Sequence, residues 1–293
     1  MRNWFKVAMI ATAVGTTAAA AFLALDRPVA GQAQEAAYKA PRLAGTTQPD
    51  LNGLWQTLTT ANWDILDHSA EPGPYPAIMG AWGTQPSGQG IVEGGELPYK
   101  PEALEKKKAN YKNRMKVDPF NLHTMGDPEA KCYAPGVPRA MYLPYPFQIV
   151  QMPNKILMVF GYSNVNRFIQ LDTHEEAPID LWMGWSNGKW EGDTLVVDVT
   201  SFNGHAWLDR AGNHTSDALH VVERYTITGP NTIMYEATIE DPNVFTKPWK
   251  MSFPLYRRLE KNVQITENRC VSFTEEYVYG SLARKGSFVK KGS

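Results

Sequence analysis

From Pro146 to Arg257 apolar and polar residues alternate in short runs with a period of two, the spacing of strands that bury one face. Trp249, Met251, Phe253 and Leu255, for example, alternate with Lys250, Ser252, Pro254 and Tyr256. The pattern predicts strands over 51–56, 146–152, 155–162, 164–171, 179–185, 190–200, 218–228, 232–241 and 248–257, followed by 262–269 and 271–279. Tight turns are expected at Ser163, at Ser186-Asn-Gly-Lys189 and at Thr228-Gly-Pro-Asn231. Strands this closely spaced form an antiparallel meander. Pro254 cannot donate to a ladder, which assigns 248–257 to an edge or a bulge. Helical spacing occurs over Glu102–Lys116, with Pro101 in its first turn and Leu104, Tyr111 and Met115 on one side; Lys106-Lys-Lys108 reads as its solvated face. The expected fold is all-β: a mostly antiparallel barrel of about eight to ten strands, with a Gly/Pro-rich insertion over 56–145 and one short external helix.

Two charges interrupt apolar rows. Arg167 falls in the row Val165, Ile169, Leu171, and Glu223 in the row Leu219, Val221, Tyr225, Ile227. Successive strand side chains point to opposite faces, so both charges are expected inside the barrel. Burying a charge is costly unless it is paired or used. Asp198, in the row Thr194, Val196, Thr200, is a weaker third candidate for an inward charge.

Counting strand directions sends the loops after 146–152, 164–171, 190–200 and 232–241 to one rim. They carry Pro153-Asn154, then His174, then His205, Trp207, Asp209 and His214, then Asp241. The long connection Ser201–Asp217 is expected to act as a lid, since such length is unusual in a compact meander. Imidazole titrates near neutrality and a carboxylate can orient it, so His205 or His214 is the candidate general base or acid and Asp209 its orienter. Arg167 would stabilise a developing oxyanion, Glu223 would hold Arg167, and Trp207, His174, Tyr225 and Asp241 would contact the substrate. His174, His205, Asp209 and His214 are suitable ligand types for zinc or iron, but their spacing matches no tight motif, and neither metal nor organic cofactor is expected.

The chain of 293 residues opens with Arg2 and Lys6, an apolar run Val7–Leu25, and small residues at Gly31-Gln-Ala33. That is the pattern of an export signal, residues 1–33, with an uncleaved membrane anchor as the rival reading. Cleavage would leave one domain over 34–293, free of membrane spans, in the periplasm or outside the cell. It would also take the net charge from −1 to −3, because the lost segment carries Arg2, Lys6 and Arg27 against Asp26. Such a charge, with no basic patch interleaved with aromatics, gives no support to nucleic-acid binding. The exported context and the even count point to a Cys132–Cys270 disulfide. No Gly-x-Ser-x-Gly elbow supports a serine hydrolase, and no Gly-rich segment is followed by the helix and lysine of a phosphate cradle. Asn213-His-Thr215 fits a glycosylation sequon.

Gly53-Leu-Trp55, leading into the meander, resembles the Gly-x-Trp opening of lipocalins and related calycin barrels. Cys132-Tyr-Ala-Pro-Gly-Val-Pro-Arg139 and Gly188-Lys-Trp-Glu-Gly-Asp-Thr-Leu-Val-Val-Asp198 are similar to motifs of a group of exported bacterial proteins of unknown function. Glu223-Arg-Tyr225 and Glu240-Asp-Pro242 belong to the same likeness. The resemblance implies an exported, lipocalin-like β protein and no particular reaction. Together the residues suggest an exported enzyme, a lyase, isomerase or hydrolase, using acid–base chemistry on a small apolar or aromatic molecule. The alternative is a carrier in which Arg167 meets a ligand carboxylate. The oligomeric state is open.

Overall fold

Nine strands close into a ring in the computed structural model of the chain. The structure describes residues 38–73, 84–114, 126–171, 173–266 and 270–271. Tyr38 apart, the described residues belong to one compact unit that begins at Lys39. The expected export segment 1–33 and the expected strand 271–279 beyond Val271 lie outside the described residues.

In chain order the strands are β1 (Gly53–Gln56), β2 (Glu71–Pro72), β3 (Thr84–Gln85), β4 (Phe147–Gln151), β5 (Lys155–Phe160), β6 (Asn166–Gln170), β7 (Trp185–Glu191), β8 (Thr194–Thr200), β9 (His220–Gly229), β10 (Thr232–Glu240) and β11 (Trp249–Arg257). The ring runs β1-β11-β10-β9-β8-β7-β6-β5-β4 and closes where Gly53–Trp55 pair with Phe147–Ile149; β2 and β3 form a separate two-stranded ribbon. Every joint of the ring is antiparallel except β6–β7, which is parallel and rests on the register Ile169↔Ser186 and Gln170↔Asn187. The all-β, mostly antiparallel barrel expected from alternation is therefore present, with one mixed joint.

That joint corrects two strand assignments. Residues 179–185 contribute no strand before β7; Leu181 instead makes an isolated bridge to Phe202. The expected strand 190–200 is a hairpin, β7–β8, turning at Gly192-Asp193, where Gly192 has φ +60°. Ser186-Asn-Gly-Lys189 has turn composition but lies inside β7. A Cβ on Gly188 would come within 2.7 Å of Ile169 and 2.9 Å of Leu171, so glycine serves close approach across the parallel joint there. Residues 262–266 are irregular rather than a strand. Pro254 pairs with Met234 of β10, in a ring rather than at an edge. On its other side β11 meets β1 only at Tyr256 and Arg257, while Ile91 and Glu93 bond to Ser252 and Lys250, so the missing N–H falls between two covered stretches.

Inward side chains form one continuous buried cluster that includes Phe147, Ile156, Met158, Leu195, Val197, Val221, Ile233, Ile239, Met251 and Leu255. The insertion adds Ile65, Ile91, Val92, Met141 and Tyr142 to it. The helix α1 (Pro101–Asn113) buries only Ala103 and lies against Gly212, whose φ is +87° and where a Cβ would stand 2.7 Å from the Lys107 carbonyl. A disulfide joins Cys132 to Cys270, 138 residues apart. No helix among the described residues is long and apolar enough to cross a membrane.

Candidate functional site

Arg167 and Glu223 do face the interior, at 3% and 0% exposure. They are placed there by the two-residue period of β6 and β9, and they close on each other. The Arg167 guanidinium donates through both terminal nitrogens to the Glu223 carboxylate, through Nε to Ser186 Oγ (2.9 Å), and weakly to the Tyr225 hydroxyl (3.4 Å). Tyr225 and Tyr235 each donate to Glu223 Oε1 at 2.9 Å. Burial, with the Glu223 charge beside them, raises both phenols well above their ordinary range. With its acceptors filled in this way, Glu223 is a paired charge inside the core. Tyr225, expected to touch substrate, is one of its donors. Asp198 points outward, since the inward row of β8 is Leu195, Val197 and Val199.

The corrected hairpin adds one reversal and redistributes the loops. His205, Trp207, Asp209, His214 and Asp241 remain together at one end. His174 and Pro153-Asn154 lie at the other, because β6 ends there and the chain must cross back before β7 begins parallel to it. The tight turn at Ser163 shares the end of His205, and that at 229–231 shares the end of His174. Nor is 201–217 a detached lid. Phe202, Leu208, Ala211, Asn213, His214 and Thr215 are buried, and the segment plugs its end of the barrel.

Within that plug Asp209 is wholly buried. Its Oδ2 accepts from the Ile65 backbone N–H (3.0 Å) and from the Asn213 side-chain amide (2.6 Å), and Oδ1 accepts from the Asn213 backbone N–H (3.1 Å). The same amide nitrogen reaches Asp64 Oδ1 at 3.4 Å, and Asn213 Oδ1 accepts from Tyr99 Oη at 3.0 Å. One asparagine therefore spans two carboxylates, one sealed in the core and one half-exposed. Burial, and next the neighbouring Asp64 charge, raise Asp209 to about 7; burial also raises Asp64. A carboxyl group poised near neutrality is a competent proton donor or acceptor.

His214 is 2% exposed, and its Nδ1 has no partner. Burial, with Lys106 of α1 adding its charge, lowers it to about 4, so the ring is neutral at physiological pH. Tyr99 stacks on it at 6.0 Å. Asp209 gives its bonds to Ile65 and Asn213 and does not orient His214, which corrects the role expected for it. His205 is exposed and tilts against Trp182, which itself stacks on Tyr133. Asp241 is buried and ties down Ser216 and Asn243 in the loop. Trp207 is half-buried and lends its carbonyl to Arg139. Because Asn213 is wholly buried, its sequon presents no free amide for glycosylation. No group of three or more His, Cys, Asp or Glu among the described residues is placed to hold a metal ion.

Beside these groups lies a charged bank that strand periodicity did not reveal. Arg139 makes a bidentate pair with Asp127 (both 2.7 Å) and reaches Asn62 through Nε (3.0 Å). Glu129 meets Arg210 at 3.1 Å, and although burial pushes its carboxyl up, Arg210 and Arg139 hold it below the usual range. Asp64, Tyr99, Asp127, Glu129 and Arg139 all come from the insertion. The one local signal was the Pro-Arg ending of the Cys132–Arg139 motif.

The class the fold defines is an all-β, nine-stranded mixed barrel tied by a disulfide. No protein-family model, curated protein or solved structure matches the chain.

Proposed function

We propose that the chain is an exported enzyme, periplasmic or secreted, acting on a small apolar or aromatic molecule by proton transfer. It would be a lyase, isomerase or hydrolase whose proton donor or acceptor is Asp209, with Asp64 as the second carboxylate. The observation that carries this reading is the Asn213 amide nitrogen shared between the two carboxylates, one of them without access to water. Two acids in unequal surroundings can hold a proton at one and a charge at the other, which is what acid–base catalysis requires. His214, neutral and with Nδ1 unpartnered, follows Asn213 in the same loop. The disulfide fits the oxidising compartment that an export signal over 1–33 would lead to. The carrier reading is weaker, because a ligand carboxylate on Arg167 would have to displace Glu223.

Native mass spectrometry of protein purified from its own host would identify a retained small molecule, and turnover of that molecule would then be measured. Asp209→Asn should cut turnover by about 10²–10⁴-fold with the fold intact, the usual worth of a positioned acid or base. Undiminished turnover in both Asp209→Asn and Asp64→Asn, on a verified substrate, would sink the proposal.

A further inference from the structure

On the outside of the barrel, the face of β7, β8 and β9 forms a concave site of about 580 Å³, within the range of small-molecule pockets. Its floor is aliphatic: Leu171, Val196 and Val222. One wall is the segment that leaves β6, held down where Asn187 bonds both the N–H and the carbonyl of Glu175 (3.1 and 3.0 Å).

The charges around this floor are sorted by position. Lys189, Val196 and Arg224 lie side by side across three strands, and Asn187, Asp198 and Val222 form the next outward row. In the first row two cations share one carboxylate, Glu191, with Lys189 at 2.9 Å and Arg224 at 3.0 Å, and Glu236 of β10 is the cross-strand partner of Arg224. In the second row Asp198 Oδ1 receives only His220 Nε2 (3.0 Å), and its other oxygen has no protein partner among the described residues. The rows are two residues apart along each strand, so their backbones stand about 7 Å apart, with Val196 in one row and Val222 in the other.

We propose that this cavity binds a small zwitterion with an apolar body, a dipeptide or a molecule of that size. Its cationic group would meet Asp198, its carboxylate would meet Arg224 and Lys189, and its side chains would cover Val196 and Val222. Two residues of extended chain span about 7 Å, the spacing of the two rows. A free amino acid is too short to reach both ends. This site is separate from the carboxylate pair in the plug, and the inference does not depend on the catalytic reading.

The test is isothermal titration calorimetry of the disulfide-intact protein with leucyl-leucine, its N-acetyl form and its C-terminal amide. The free dipeptide should bind, and blocking either terminus should weaken binding about tenfold or more. Asp198→Asn should abolish the preference for the free amine and Arg224→Gln the preference for the free carboxylate. If either variant does not fold, the three ligands on the unaltered protein still decide the matter. Equal binding of blocked and free forms, or no saturable binding of leucyl-leucine at millimolar concentration, would overturn the inference.

Discussion

Asn213 holds Asp209 at both oxygens, by its backbone N–H at 3.1 Å and by its side-chain amide at 2.6 Å. Next to Asn213 in the chain is His214, which titrates in the opposite sense to Asp209, and the two should nearly cancel in the pH dependence of stability. Asp209, raised to about 7 in the fold, binds a proton there that the unfolded chain has released above about pH 4, so its contribution to stability falls as pH rises from 4 to 7. His214, lowered to about 4, has lost a proton that the unfolded chain keeps until about 6.5, so its contribution rises over nearly the same window. Asp209→Asn should therefore make the melting temperature climb with pH between 4 and 7, and His214→Gln should make it fall. Thermal melts at half-unit steps would show this; parallel profiles for the two variants would contradict it.

Glu223 balances the charge of Arg167, and both side chains are buried. Removing one partner leaves the other buried and unpaired, at a cost of about 3–5 kcal/mol, whereas removing both can be nearly neutral. Urea unfolding should find Glu223→Leu strongly destabilised and the double variant Arg167→Met/Glu223→Leu more stable than that single one. A double variant whose losses simply add would show that the pair is not what holds this part of the core.

Cys132 and Cys270 close a loop spanning 138 residues. Freshly prepared protein unfolded without reductant should present no thiols. Cys132→Ser/Cys270→Ser should lose about 5 kcal/mol in the chain-entropy account of cross-links. Two titratable thiols in the unreduced protein would refute the bond.

Gly212 fits between the loop and α1 only because it lacks a side chain and sits at φ +87°. Gly212→Ala should push the helix away and destabilise the protein by roughly 1–3 kcal/mol. It should also shift the titration of His214, which feels Lys106 of that helix. An NMR titration of the imidazole checks the second effect independently of the first.

Arg167 and Glu223 were legible in the sequence because each broke a two-residue rhythm, and that rhythm is enforced locally by the pleat. The hairpin at Gly192 was not legible. Its turn competes with Ser186-Asn-Gly-Lys189, and what settles the matter is the contact of Gly188 with Ile169 and Leu171, a tertiary constraint with no local trace. One missed reversal was enough to send His174 to the wrong end. Asp64 and Asp209 could not be paired in advance either. The insertion that supplies Asp64 has no period, and its approach to the 201–217 loop depends on single bonds such as Ile65 N–H to Asp209, 144 residues apart.

The parallel joint between β6 and β7 has a consequence of its own. Strands around a closed ring can alternate up and down without exception only if their number is even. With nine, one mismatch is unavoidable, as a dislocation is in an odd-membered lattice, and this protein confines it to two residue pairs. Under mechanical load the ring should part there or at β1–β11, which is held by no more than two residue pairs itself, while the longer joints stay intact.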